Sequence, residues 1–258
     1  MTTFAQATPA VQPVLGIKFF VGSAQEAIDY LSQVGGYVVV PAAPNLVRLT
    51  SDRDFRTAVT EADMAIADSG FMVLLWRLME NAPITRISGL TYLKQLLQNP
   101  KLKERGQTYW VMPSEEADVR TRAWLNERGF EVSRDDTYLA PVYGRTVEDP
   151  DLGQLIGARR PAHIIIGIGG GPQEKLARYL RNRLPYRPAI HCIGAAIGFL
   201  TGDQVQIPTW ADHLYLGWLF RSLSQPKVFV PRFWSARKLP WLIWKYREQL
   251  PSLAESRG

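Results

Sequence analysis

The chain has 258 residues, 46% of them hydrophobic and 21% charged, and carries a formal net charge of +6. That length and balance suit a folded protein with a sizeable core and exclude a disordered chain, a collagen-like repeat and a disulfide scaffold, since Cys192 is the one cysteine. No run approaches the roughly 18 uninterrupted apolar residues of a spanning helix, and the N-terminus lacks a basic-then-apolar signal pattern, so a cytoplasmic location is expected.

Residues 1–12 are small and polar and read as a loose arm. Apolar, β-branched runs follow at Gly36–Val40, Met64–Ala67, Thr108–Met112, Phe130–Ser133, His163–Ile166 and Ala189–Ile193. Helical patterns run over Ala24–Val34, Arg53–Glu61, Phe71–Met79, Leu90–Leu97, Glu115–Arg128 and Gln173–Arg183. Short continuous apolar strands alternating with amphipathic helices predict an α/β fold, a Rossmann-like parallel sheet covered on both faces. We place a body of two intertwined βα lobes at residues 13–208 and a helical appendage at 209–258.

Ligands in such sheets bind beyond the carboxyl ends of strands, and three polar clusters fall there. Asn45 follows the first apolar run and offers a donor and an acceptor suited to hydroxyls, or else caps a helix. Asp68, in Asp68-Ser69-Gly70, is a candidate general base, or else the N-cap of the helix near Phe71. In Gly167-Ile168-Gly169-Gly170-Gly171-Pro172-Gln173-Glu174, the glycines Gly169, Gly170 and Gly171 leave backbone N–H groups open to a phosphate, or else simply make a tight turn. The turn is not a dinucleotide fingerprint, because Pro172 stands where the third glycine of G-x-G-x-x-G belongs. Scattered histidines (His163, His191, His213) give no metal-ligand spacing; two lie in or beside apolar strands and read as core residues.

The charge is concentrated at the C-terminal end. From Trp218 onward eight basic residues face two acidic ones, which accounts for the whole excess. Five of the eight tryptophans (Trp210, Trp218, Trp234, Trp241 and Trp244) lie in the same region. Rings and cations from Trp234 through Arg237, Lys238 and Trp241 to Trp244 and Lys245 recur at roughly helical spacing. This is the composition of a helix at an anionic bilayer surface, or of a helix docked on its own core with solvated cations.

The order of these motifs resembles the TagA/WecG/CpsF family of bacterial glycosyltransferases, the N-acetylmannosaminyltransferase type of glycosyltransferase family 26. The resemblance is carried by Asn45, Asp68-Ser69-Gly70, Arg86-Ile87-Ser88-Gly89-Leu90 and Gly171-Pro172-Gln173-Glu174. It continues through Gly194–Gly202, Ile207-Pro208-Thr209-Trp210 and Trp218–Lys227. It implies inverting transfer, with neither metal nor cofactor, of a sugar from a UDP-sugar to a polyprenyl-diphosphate-linked acceptor at the inner face of the plasma membrane. By the same resemblance Asp68 is the base, and Asn45, Arg86 and Gln173 line the sugar pocket. Arg221, Lys227 and Arg232 close over the diphosphate. The chain departs from the family pattern at Ala43, Ser69, Thr85, Thr91 and Gly217, which leaves open a different sugar or a catalytically degenerate, membrane-associated binding or scaffold protein. An NAD-type oxidoreductase is disfavoured by the missing glycine.

Overall fold

The computed structural model describes residues 9–80, 82–203, 231 and 234–254. Strand-length apolar runs become β3 (Gly36–Val39), β5 (Thr108–Met112), β7 (His163–Ile166) and β8 (Ala189–Cys192), every residue of them buried. With β1 (Val11–Val14), β2 (Ile17–Phe20), β4 (Met64–Ala65) and β6 (Thr137–Leu139) they form one sheet in the order β1-β2-β4-β3-β8-β7-β5-β6. All pairings are parallel except the β1–β2 hairpin at one edge. The expected α/β Rossmann-like class is what the chain adopts.

Side chains alternate along each strand and so feed two cores, one per face. Tyr37, Val39, Tyr109, Val111, Ile164 and Ile166 pack on one face against α3 (Arg53–Thr60), α4 (Gly70–Glu80), α7 (Pro150–Arg159) and α8 (Pro172–Arg183). Val38, Trp110, Met112 and Ile165 pack on the other against α1 (Ala24–Val34), α5 (Gly89–Leu96) and α6 (Glu115–Asn126). Three shorter elements complete the description: α2 (Ala43–Leu46), α9 (Gly198–Thr201) and α10 (Leu239–Tyr246).

Several boundaries differ from the sequence reading. The arm ends earlier than residue 12, because Val11 and Gln12 pair with Phe20 and Phe19 in the hairpin. Phe130–Ser133 is not a strand, although Phe130 and Val132 are buried. The Asn126 side chain takes the ladder position there, accepting from Val132 N–H at 3.1 Å and donating to Val132 C=O at 2.9 Å. Helix α7 escaped the periodicity reading because Gly153 and Gly157 weaken its propensity; it is set instead by Asp149, whose carboxylate accepts from Leu152 N–H at 2.9 Å.

The described part of the basic tail, residues 234–254, is docked on one side. Leu239, Leu242 and Ile243 of α10 are 0–2% exposed and join the first core, packing near α4 and α2. Backbone bonds fasten the segment beyond: Leu15 N–H to Arg247 C=O at 2.7 Å, and Ala254 N–H to Thr50 C=O at 2.7 Å. Trp234, Trp241 and Trp244 remain 66%, 52% and 64% exposed. The helix is therefore docked on the core by one face and exposes its tryptophans on the other.

Candidate active site

Because β4, β3, β8 and β7 are parallel neighbours, the turns that leave their carboxyl ends share one edge of the sheet. After β3 the chain turns at Pro41 and Ala42 into α2, whose second residue is Pro44. Asn45 lies inside this short helix and Ala42 is the capping position, so Asn45 is not an N-cap. Its side chain is 5% exposed and makes no hydrogen bond to any described residue. Asn45 lines the cavity described below, so its amide is open to a ligand there.

The amide lies against the glycine turn that follows β7. A Cβ on Gly170 would come within 1.9 Å of Asn45 Nδ2. Gly169 and Gly171 adopt φ of +93° and +109°, which L side chains rarely reach. The N–H groups of Gly169 and Gly170 have no partner among the described residues. Gly171 does not offer its own: Glu174 Oε2 accepts it at 2.6 Å. Burial pushes the Glu174 carboxyl up, while the bonds from Gly171 and Gln173 and the nearby Arg48 charge pull it back.

Between α2 and this turn lies a cavity of about 440 Å³, lined by Asn45, Arg48, Ile168, Gly169, Gly170 and Ser235, with Pro44 at its wall. That volume falls within the roughly 300–1,000 Å³ of small-molecule sites. Arg48 carried no sequence signal of its own, but it stands three residues beyond Asn45 on consecutive helical turns. That spacing puts both side chains on one face.

Asp68 and Arg86 form a second cluster at the end of β4. Asp68 does not cap α4; Ser69 does, its Oγ accepting from Met72 N–H at 3.2 Å. The Asp68 carboxylate is left to reach α5, where Oδ1 accepts from Gly89 N–H at 3.0 Å. Its Oδ2 makes no hydrogen bond to a described residue. Arg86 Nε donates to the Asp68 backbone carbonyl at 3.2 Å, and Ala67 and Arg86 form an isolated parallel bridge. This holds the Arg86 segment beside β4.

Gln173 lies between the two clusters and is 2% exposed. Its Oε1 accepts from Gly194 N–H at 2.8 Å, and its Nε2 donates to Glu174 Oε1 at 3.1 Å. It locks the turn after β7 to the turn after β8. The latter reaches Asp68 through Gly89, where a Cβ would sit 3.5 Å from Ile193 C=O. The structure thus gathers Asn45, Gly169 and Gly170 around one cavity, leaves Asp68 and Arg86 out of its lining but on the same sheet edge, and buries Gln173 and Gly171 N–H as braces. Arg221, Lys227 and Arg232, with Trp210, Trp218 and Gly217, lie outside the described residues. Among the described residues, no three His, Cys, Asp or Glu side chains converge.

The glycine turn yields a prediction. Gly170→Ala forces the Asn45 amide out of its position while leaving the buried braces intact. For the UDP ligand that the family resemblance implies, titration calorimetry should show binding weakened about tenfold, the cost of roughly one hydrogen bond of 1.4 kcal/mol, with an unchanged melting temperature. UDP affinity within twofold of the parent protein would show that Asn45 does not face the ligand.

A model of the glycosyl transferase WecG/TagA/CpsF family matches residues 12–255. A Bacillus subtilis (strain 168) protein, N-acetylglucosaminyldiphosphoundecaprenol N-acetyl-beta-D-mannosaminyltransferase, is 24% identical over 200 residues, covering 76% of this chain and 75% of the relative.

Proposed function

Since the chain belongs to the glycosyl transferase WecG/TagA/CpsF family, we propose that it moves a sugar from a UDP-sugar to a sugar carried on a polyprenyl diphosphate, with inversion at the anomeric carbon. The observation that carries this reading is a juxtaposition on one sheet edge. A carboxylate anchored through one oxygen (Asp68) shares a sheet edge with a cavity whose Gly169 and Gly170 N–H groups and Asn45 amide make no hydrogen bond among the described residues. The relative's name points to the acceptor class and to a donor of N-acetylmannosamine or a related hexose, and the chain's departures at Ala43, Thr85 and Thr91 leave the choice among them open.

In this mechanism Gly89 N–H holds Oδ1 of Asp68 while Oδ2 takes the proton of the acceptor hydroxyl. The freed oxygen attacks the anomeric carbon from the side opposite the diphosphate. The bond from that carbon to the diphosphate oxygen breaks, and its electron pair leaves with UDP. The N–H groups of Gly169 and Gly170 meet the negative charge that grows there. Arg221, Lys227 and Arg232 are proposed to close over the same diphosphate, and no resident cofactor is proposed.

Purified protein with a panel of UDP-sugars and a polyprenyl-diphosphate-linked acceptor tests the reading: one donor should raise the melting temperature, because it binds only the folded state, and give a lipid-linked product. If no UDP-sugar binds, the reading fails. Asp68 is not among the residues lining the cavity, and this favours one second reading, a sugar-nucleotide-binding protein without transfer. Binding without product for every donor would select it.

The acceptor's lipid requires a bilayer nearby, and the exposed face of α10 suits one. Arg237 stacks over Trp234 at 4.6 Å and Lys245 over Trp241 at 4.9 Å, so rings and cations interleave. Helix α4, against which α10 packs, exposes Phe71, Leu74 and Leu78. No described helix is long and apolar enough to cross a membrane, and we propose peripheral attachment at the inner face of the plasma membrane. Because α10 is half in the core, truncation would damage the fold; surface variants are the sound test. Trp241→Ala with Trp244→Ala should release the protein from anionic liposomes in a flotation assay, and added salt should weaken parental binding. Equal flotation by parent and variant would overturn the assignment.

A further inference from the structure

We infer that Arg48 is the body's own diphosphate-binding cation, fixed before any donor arrives. The inference rests on the proposed UDP-sugar reading and extends it to a residue that the motif pattern does not contain.

Arg48 is held from three sides. Its Nη2 pairs with Asp52 Oδ2 at 2.5 Å, and its guanidinium lies 5.3 Å from the centre of the Phe55 ring. A Cβ on Gly171 would come within 2.2 Å of Nη1, so only glycine lets the guanidinium reach the turn. The anchoring carboxylate is itself shared, because Asp52 Oδ1 also meets Lys175 Nζ at 2.9 Å. One anion thus serves two cations, while the Glu174 carboxyl near Arg48 is bonded by Gly171 N–H and Gln173 and pushed up by burial. The side chain is 39% exposed, which leaves part of it accessible. Burial alone would raise the Asp52 carboxyl, but Phe55 N–H, Lys175 and Arg48 hold it below the usual carboxylate range. The brace therefore stays charged at neutral pH.

What faces the cavity beside Arg48 suits an anion. Among the described residues the N–H groups of Gly169 and Gly170 and the Asn45 amide make no hydrogen bond, and all three residues line the cavity. Two backbone donors, an amide and a fixed guanidinium converging on one space match a diphosphate, which carries several acceptor oxygens. A guanidinium held by Asp52 and Phe55 loses little side-chain freedom on binding, and that preorganisation favours affinity. As UDP departs, the same cation stabilises the developing charge.

Titration calorimetry with UDP, uridine and inorganic pyrophosphate, on the full chain and on Arg48→Gln and Arg48→Lys, tests the assignment. Arg48→Gln should weaken UDP binding at least tenfold, abolish pyrophosphate binding and leave uridine unchanged. Arg48→Lys, which keeps the charge but not the fork, should recover part of the UDP affinity. A melting temperature within a few degrees of the parent for either variant ties the loss to the ligand contact. If the parent binds UDP and Arg48→Gln binds it within twofold, Arg48 is not the diphosphate cation and the donor reading stands. If the parent binds neither UDP nor pyrophosphate, the donor reading and this assignment fall together.

Discussion

Asp68→Asn should lower transfer by about 10²–10⁴-fold, the usual contribution of a positioned general base, while UDP-sugar affinity stays within twofold. The amide retains an oxygen that can accept from Gly89 N–H, so the tie between the β4 end and α5 survives. What it loses is the second oxygen's capacity to take a proton. Asp68→Ala removes that tie as well and should lower the melting temperature in addition to activity. The pair of variants separates chemistry from architecture: a base predicts equal loss of transfer in both, whereas a purely structural carboxylate predicts an active Asn variant. Undiminished transfer by Asp68→Asn would remove the mechanism proposed above.

The second large effect concerns acid. Tyr92 on α5, His191 on β8 and His163 on β7 form a buried line, with Tyr92 Oη to His191 Nδ1 at 2.9 Å and His191 Nε2 to His163 Nδ1 at 3.1 Å. Burial pushes His163 down to about 4 and His191 well below its ordinary value, with the neighbouring His163 adding to the latter. Both rings are therefore neutral in the folded protein. Below the ordinary histidine value near 6.5, the unfolded chain takes up protons that the folded chain refuses, so stability falls with pH across the window from 6.5 towards 4. Each such histidine contributes a slope of about 1.4 kcal/mol per pH unit, or roughly 3 kcal/mol for His163 over its full window. Glu174, whose carboxyl burial pushes up, acts in the opposite direction. The histidine share is therefore read from a difference: urea melts of His163→Gln between pH 6.5 and 5 should be shallower than the parent's by about one proton's slope. Parallel stability curves for the two proteins would show that His163 is protonated in the fold. The same line of bonds anchors α5, whose first residue, Gly89, holds Asp68, so acid should reach the candidate site as well as the core.

Much of this fold was legible because its signals are local. The runs at Tyr37–Val39, Tyr109–Val111 and Ile164–Ile166 are apolar throughout, and a strand buried on both faces needs nothing more. The placement of His163 and His191 in or beside such runs likewise foretold buried, satisfied rings. Local signals failed where a side chain replaced backbone pairing, as Asn126 does for Val132, or where capping outweighed weak propensity, as Asp149 does for α7. The candidate site was legible as a set of strand-end residues: Asn45, Asp68 and the 167–174 turn do lie on one edge. Their division of labour was not, and Arg48 was invisible, since an arginine on a short helix carries no pattern until the glycine it abuts is known.

The sequence by itself determined the parallel sheet, the two-sided core, the amphipathic character of the tail and the family, because periodicity and motif spacing depend on neighbours along the chain. Only the tertiary structure decided that the Asn45 amide meets Gly170, that Gln173 braces Gly194, that Arg48 stands over Gly171 and that α10 turns one face inward and one out. Those contacts depend on the order in which strands enter the sheet, which sets β3 and β7 on either side of β8. Strand order is settled by the packing of whole layers, so residues far apart in sequence acquire their chemistry from neighbours that no local pattern specifies.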